Sequence, residues 1–174
     1  MNTELFYLSL IEWAVDLIIG VLVLYVTYIV FRSWFRKRYH VEEDNLALKI
    51  LMASILFGTG YCISGALQPV ATTFKLLQTQ GLSNGTYIFE CIKFVLIFVV
   101  IGLFITILSN FITLVFYNAI TKSIDELQEI ANGKLSYAIF MGAIVIVIAL
   151  FTRDAYTNLL ESLIPYPDIP VLPR

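Results

Sequence analysis

Charge is the first scarcity in this chain of 174 residues. Only 14% of it is Asp, Glu, Lys or Arg, against 59% hydrophobic residues. The mean hydropathy is +0.86. A soluble domain of this length cannot hide so much apolar surface, so lipid must be the solvent for most of the chain. The net charge of −2 excludes a nucleic-acid binder held by global charge. Histidine and cysteine are scarce too: His40 stands alone, and Cys62 and Cys91 are the two thiols. That is too few for a dense metal site or a disulfide scaffold. His40 lies among basic and aromatic residues with no nucleophile beside it, so no catalytic constellation forms. The expectation is a protein without catalysis, metal or cofactor, carrying two free thiols.

Four long apolar runs are present. The first covers about residues 8–31; no basic start precedes it and no small-residue cleavage pattern follows, so it reads as a retained helix. Arg32, Arg36, Lys37 and Arg38 come next and read as a basic loop at the membrane interface, with Trp34 and Tyr39 in an aromatic belt. The second run, 45–70, opens after Glu42-Glu43-Asp44-Asn45; its Lys49 lies one turn inside and can snorkel to the head groups. Along it Ser54, Gly58, Cys62 and Ala66 recur every fourth residue, and Gly142 supplies a small position in the fourth run. Such a stripe admits a second helix at close range. Residues 70–86 contain Gly81, Ser83, Asn84 and Gly85 and read as a polar loop. The third run, 87–117, is longer than a bilayer needs. Residues 118–134 carry apolar positions at helical spacing and end in Asn132-Gly133, which predicts a short amphipathic helix on the membrane surface. The fourth run covers 135–155, and a tail with Pro165, Pro167, Pro170 and Pro173 follows.

The fold class is therefore an all-α membrane protein: two tandem helical hairpins, residues 1–86 and 87–174. Lys and Arg concentrate in the two loops that join the helices within each hairpin. This places those loops in the cytoplasm and both termini outside. Six ionisable groups then fall near the outer face: Glu12, Asp16, Glu90, Lys93, Arg153 and Asp154. Charge at such depth tends to pair, so Arg153 is a candidate bridge to Asp16 or Glu90, and independent snorkelling is the plainer alternative. In the third run Thr106, Asn110 and Thr113 share a face. They read either as a polar lining or as hydrogen-bonding groups between helices of one bundle.

Sliding the chain by 89 residues superposes Leu46, Ile50, Met52, Ile55 and Ala66 on Leu135, Ile139, Met141, Ile144 and Ala155. The match indicates a parallel internal repeat. Within it, Asn45-Leu46-Ala47 with Gly58 in one half, and Glu129-Ile130, Gly133 and Phe140-Met141-Gly142 in the other, resemble the bacterial membrane family described as domain of unknown function 350. Lys134 departs from the family pattern, which would have Asn there, and Lys49 replaces a small residue. The resemblance spans nearly the whole chain. It implies an inner-membrane protein of a family without an established reaction, with membrane-stress or flotillin-type proteins as partners.

Two functions fit these observations. One is a homo-oligomeric membrane interaction component or scaffold linked to envelope maintenance, with the lipid bilayer and protein partners as its surroundings and no nucleic acid. The other is a small channel or transporter formed by an oligomer, with Thr106, Asn110 and Thr113 facing its path.

Overall fold

The computed structural model describes residues 3–41, 44–81, 83–120 and 125–164. Six helices follow in order: α1 (Thr3–Tyr39), α2 (Leu46–Ser64), α3 (Leu67–Thr79), α4 (Asn84–Ile120), α5 (Glu126–Ala131) and α6 (Leu135–Glu161). There is no strand among the described residues. Four helical stretches are long and apolar enough to cross a membrane: Trp13–Tyr39, Leu46–Thr79, Gly85–Ala119 and Leu135–Glu161. The protein is an all-α, multi-pass membrane bundle.

The helices overrun the hydropathic runs for local reasons. α1 continues through Arg32, Arg36, Lys37 and Arg38, so the expected basic loop is the last turns of a helix. Lys and Arg are good helix formers, and cations at a helix C-terminus complement its dipole. His40, with φ of 50°, then stops the helix in the left-handed region, and its N–H closes onto Arg36 O at 3.2 Å. The lone histidine is thus a helix terminator.

The second run is not one helix to residue 70 followed by a loop. It breaks at Gly65-Ala66 and resumes as α3 through most of the expected 70–86 loop. Pro69 explains the break: it has no N–H for the Gly65 carbonyl four residues back, and its ring clashes there. Within α3, the Thr72 and Thr73 hydroxyls donate to Gln68 O and Pro69 O, so these polar residues are absorbed by the helix. α5 is the expected short helix. Asp125 caps it by accepting from Gln128 N–H at 3.0 Å. A Schellman pair, Lys134 N–H to Glu129 O and Gly133 N–H to Ile130 O, ends it at Gly133 with φ of 87°. It does not merely lie on a surface, since Leu127 and Ile130 are fully buried in the bundle.

Two apolar clusters stack along the bundle. One, toward the basic end of α1, joins Phe31, Phe35, Leu51, Ile55, Leu114 and Met141 with Leu127 and Ile130. The other joins Val23, Ile63, Ala66, Val70, Phe98, Tyr156 and Leu160. Between them each of three helices carries a buried polar residue: Thr27 on α1, Thr59 on α2, Thr106 and Asn110 on α4. Trp34 packs edge-on against Phe111 of α4, ring centroids 5.2 Å apart. The Pro-rich tail, Pro165 to Pro173, and the side chain of Glu12 lie outside the described residues.

One carboxyl in this frame is out of balance. Glu126 is 7% exposed and its Oε2 has no hydrogen-bond partner. Burial pushes its pKa above the ordinary carboxylate value. A carboxyl raised in the folded state adds stability below its unfolded pKa, and that stability drains as pH rises through the folded pKa. Glu126→Gln should therefore raise the thermal midpoint at about pH 8 and leave it nearly unchanged at about pH 4. Scanning calorimetry in detergent at both pH values checks this; equal shifts at both would contradict it.

Candidate functional site

The tightest part of the molecule is the seam between α2 and α6, which run in the same direction. Asn45 opens α2 and Lys134 opens α6, each with an extended backbone. Ser54 meets Gly142 so closely that a side chain at Gly142 would collide with its hydroxyl. A Cβ at Gly58 would stand 3.2 Å from Ala149 Cβ and 3.7 Å from Val145 Cγ1. The Cys62 thiol donates to Ala149 O at 3.6 Å and lies 3.8 Å from Thr152 Oγ1. Farther along, a side chain at Gly65 would strike the Thr157 hydroxyl. The stripe Ser54, Gly58, Cys62 thus faces α6. Ala66, its last member, sits at the break in the second cluster. Cys91, on α4, is half-exposed, and both thiols are free.

Asn45 holds the basic end of this seam. Its Oδ1 accepts from Leu48 N–H at 3.0 Å, capping α2. Its Nδ2 donates to Ile130 O at 3.0 Å and Ala131 O at 2.7 Å, satisfying carbonyls at the end of α5. One side chain therefore ties a helix start to a helix end 85 residues away. The sequence marks Asn45 at the head of the second run, but its second partner follows no spacing rule. At Lys134 the ammonium pairs instead with Glu129, which holds it above its ordinary pKa.

The polar residues of α4 divide. Asn110 is buried and donates through Nδ2 to Thr59 Oγ1 at 3.0 Å. Thr106 is buried and donates back to Gly102 O. Both are spent inside the bundle. Thr113 donates to Ser109 O at 2.8 Å and, with Ser109, Tyr117 and Thr152, borders an open groove of about 490 Å³ between α4 and α6.

The charges near the other end sort by neighbour. Lys93 pairs with Glu90 one turn away on α4. Arg153 reaches Asp154 at 4.0 Å and lays its guanidinium over the Tyr61 ring at 5.0 Å from the centroid. Among the described residues Arg153 makes no ion pair with Asp16 or Glu90. The neighbour that sequence reasoning missed is Tyr61, an aromatic face beside the Asp154 carboxylate. At the opposite end Arg36, Lys37 and Arg38 are exposed and Arg32 lies over Tyr28 at 5.6 Å. No group of three or more metal-ligating side chains gathers among the described residues.

The family model for the Domain of Unknown Function (DUF350) matches residues 3–156, from the start of α1 into the C-terminal part of α6. The chain belongs to this family. No curated protein and no solved structure matches the DUF350 chain. Its family description assigns no reaction to the seam, the Asn45 clamp or the groove.

Proposed function

We propose that this DUF350 protein works without catalysis, as an oligomeric membrane interaction component in the cell's inner membrane, serving envelope maintenance. The observation that carries this reading is the uneven cover of its helices. Half of the most apolar window of α2–α3 is buried by the rest of the chain, against 17% for α1 and for α4. α4 in particular presents Leu108, Ile112 and Phe116 beside the small hydroxyls of Ser109 and Thr113 along the open groove. Small and hydroxyl side chains beside apolar ones suit helix–helix packing in lipid, where contact and hydrogen bonding drive association. The occupant of this groove is a second copy of the chain, and the exposed basic turns of α1 are left for cytoplasmic partners of the membrane-stress or flotillin type.

The test is a single cysteine at Ile112, in a chain whose Cys62 and Cys91 are replaced by alanine. Mild oxidation in native membranes should give a covalent dimer on non-reducing gels. A chain that stays monomeric, while a cysteine at exposed Tyr25 of α1 crosslinks, would move the interface away from α4.

The competing reading, conduction, has one observation in its favour: Ser109, Thr113, Tyr117 and Thr152 all border the same groove. Facing copies would then enclose a hydroxyl-lined path. Asn110 is the wrong probe for it, because its amide is bonded to Thr59. A charge at Thr113 that changes ion flux in liposomes would favour conduction over scaffolding.

A further inference from the structure

The short helix α5 packs at the basic end of the bundle, against α1, α2, α4 and α6. Its six residues make fewer than two turns, and a helix that short does not hold on its own in water. α5 therefore depends on being docked, and its attachments can be named. Leu127 and Ile130 are buried in the apolar cluster that also holds Phe35, Leu51, Leu114 and Met141. The Asn45 amide donates to Ile130 O at 3.0 Å and Ala131 O at 2.7 Å. Leu127 N–H donates to Asn118 Oδ1 at 3.4 Å, and Lys134 pairs with Glu129 at 2.5 Å. The turn at Gly133 joins the helix to α6.

One member of α5 opposes this docking. Glu126 is 7% exposed, and its Oε2 is buried with no hydrogen-bond partner. A neutral carboxyl tolerates such a place, whereas a carboxylate without a partner is costly there. The start of a helix favours an anion, yet burial outweighs it and the pKa is raised. Among the described residues no ion pair reaches Glu126 from the elements around it. On α1, Arg36, Lys37 and Arg38 are exposed, as is His40 beyond them, and Tyr39 lies within reach of the Asp125 charge. On α2, Lys49 is held by Asp44. On α6, Lys134 is held by Glu129, with its ammonium 5.9 Å from the Tyr137 ring centroid. On α4, the Tyr117 phenol lies within reach of the Glu126 charge and is no counter-ion for it.

We infer that α5 is a pH-operated latch at the basic end of the bundle: it stays docked while Glu126 is protonated and is released when Glu126 ionises. The sign follows from burial. The docked form binds the proton more tightly than the released form, in which water surrounds the carboxyl. Docking is therefore strongest at low pH and weakens as pH rises through the docked-state pKa. Release withdraws Leu127 and Ile130 from the apolar cluster and parts the Asn45 amide from its two carbonyls. The contacts of Ser54, Gly58 and Cys62 with α6 do not involve α5, so the α2–α6 seam stays closed. The latch stands apart from the assembly reading above, since α4 and α6 alone border the open groove.

The experiment is amide hydrogen exchange, read by peptide mass spectrometry on the full-length chain in liposomes. Wild type and Glu126→Gln are compared at about pH 4 and at about pH 8. Comparing two chains at one pH cancels the intrinsic pH dependence of exchange. The amides of Glu129, Asn132, Gly133 and Lys134, each bonded within α5 and its closing turn, are the readout. At the lower pH the two chains should exchange alike. At the higher pH wild type should exchange these amides severalfold faster than Glu126→Gln, with α2 and α6 equally protected in both. Equal exchange of the α5 amides at both pH values would overturn the latch. So would faster exchange spread through α2 and α6, because Glu126 would then act on the whole bundle. If Glu126→Gln does not fold, wild type alone decides. Its α5 amides should gain more exchange between the two pH values than their intrinsic chemical rates do, and a gain in step with those rates overturns the proposal.

Discussion

Gly58→Leu should cost the bundle about 1–3 kcal/mol or more, the usual range for overpacking a filled interior. The glycine faces Ala149 and Val145 at ordinary contact distance or closer, and its neighbours along the stripe, Ser54 and Cys62, are in contact with the same helix. A leucine has nowhere to go without prying α2 from α6. Gly58→Ala sets the scale, since its single methyl needs Ala149 to yield by only a few tenths of an ångström. The measurement is the thermal midpoint in detergent, together with the fraction of protein that elutes as a single species. A Leu variant as stable as wild type would mean that the seam is slack.

Asn45→Ala carries the second large effect. Losing an asparagine cap costs about 1 kcal/mol. Two further hydrogen bonds to α5 carbonyls go with it, each worth about 0.5–1.5 kcal/mol net. The expected total is about 2–4 kcal/mol. Asn45→Ser separates the two roles: serine can still accept from Leu48 N–H, but it is too short to reach Ile130 and Ala131. Serine should therefore recover only the capping share. If serine restores full stability, the link to α5 contributes nothing and the clamp is only a cap.

The four crossing helices were legible because lipid imposes a long apolar run on any helix that spans it, and nothing else in a chain of this size produces four such runs. The short α5 was legible for a similar reason: its apolar spacing and the Asn132-Gly133 stop are both local. What was misread depends on effects displaced along the chain or across it. Pro69 was visible, but its consequence falls four residues upstream, at Gly65, so the sequence reads as one helix ending where α3 in fact continues. Thr72 and Thr73 look like loop residues until their hydroxyls find carbonyls one turn back. The basic residues after Phe31 mark the membrane boundary, yet charge alone does not end a helix, and His40 does so instead.

The candidate site divides in the same way. The spacing of Ser54, Gly58 and Cys62 announced a close helix contact but not its partner. The partner is α6, where the Cys62 thiol finds Ala149 O and Thr152 Oγ1, 87 and 90 residues away. Those separations straddle the 89-residue offset of the internal match, and a parallel pairing of equivalent helices is the arrangement a tandem duplication would produce; the duplication remains our proposal. For Arg153 the sequence offers either a carboxylate on another helix or independent snorkelling to water, and the structure lays its guanidinium over Tyr61. An aromatic ring serves a guanidinium almost as well, and composition gives no way to choose between them.

A chain that crosses the membrane four times has its α1–α2 and α4–α6 connections on one side and its α3–α4 connection on the other. Single cysteines at Gln128 in α5 and at Gln80 after α3, each in a chain without Cys62 and Cys91, test this directly. Both positions are exposed. With an impermeant thiol reagent on intact cells, Gln80→Cys should label at once, and Gln128→Cys only after the membrane is breached. Labelling of both positions in intact cells, or of neither, would put the two ends of the bundle on the same side and contradict the four-span architecture.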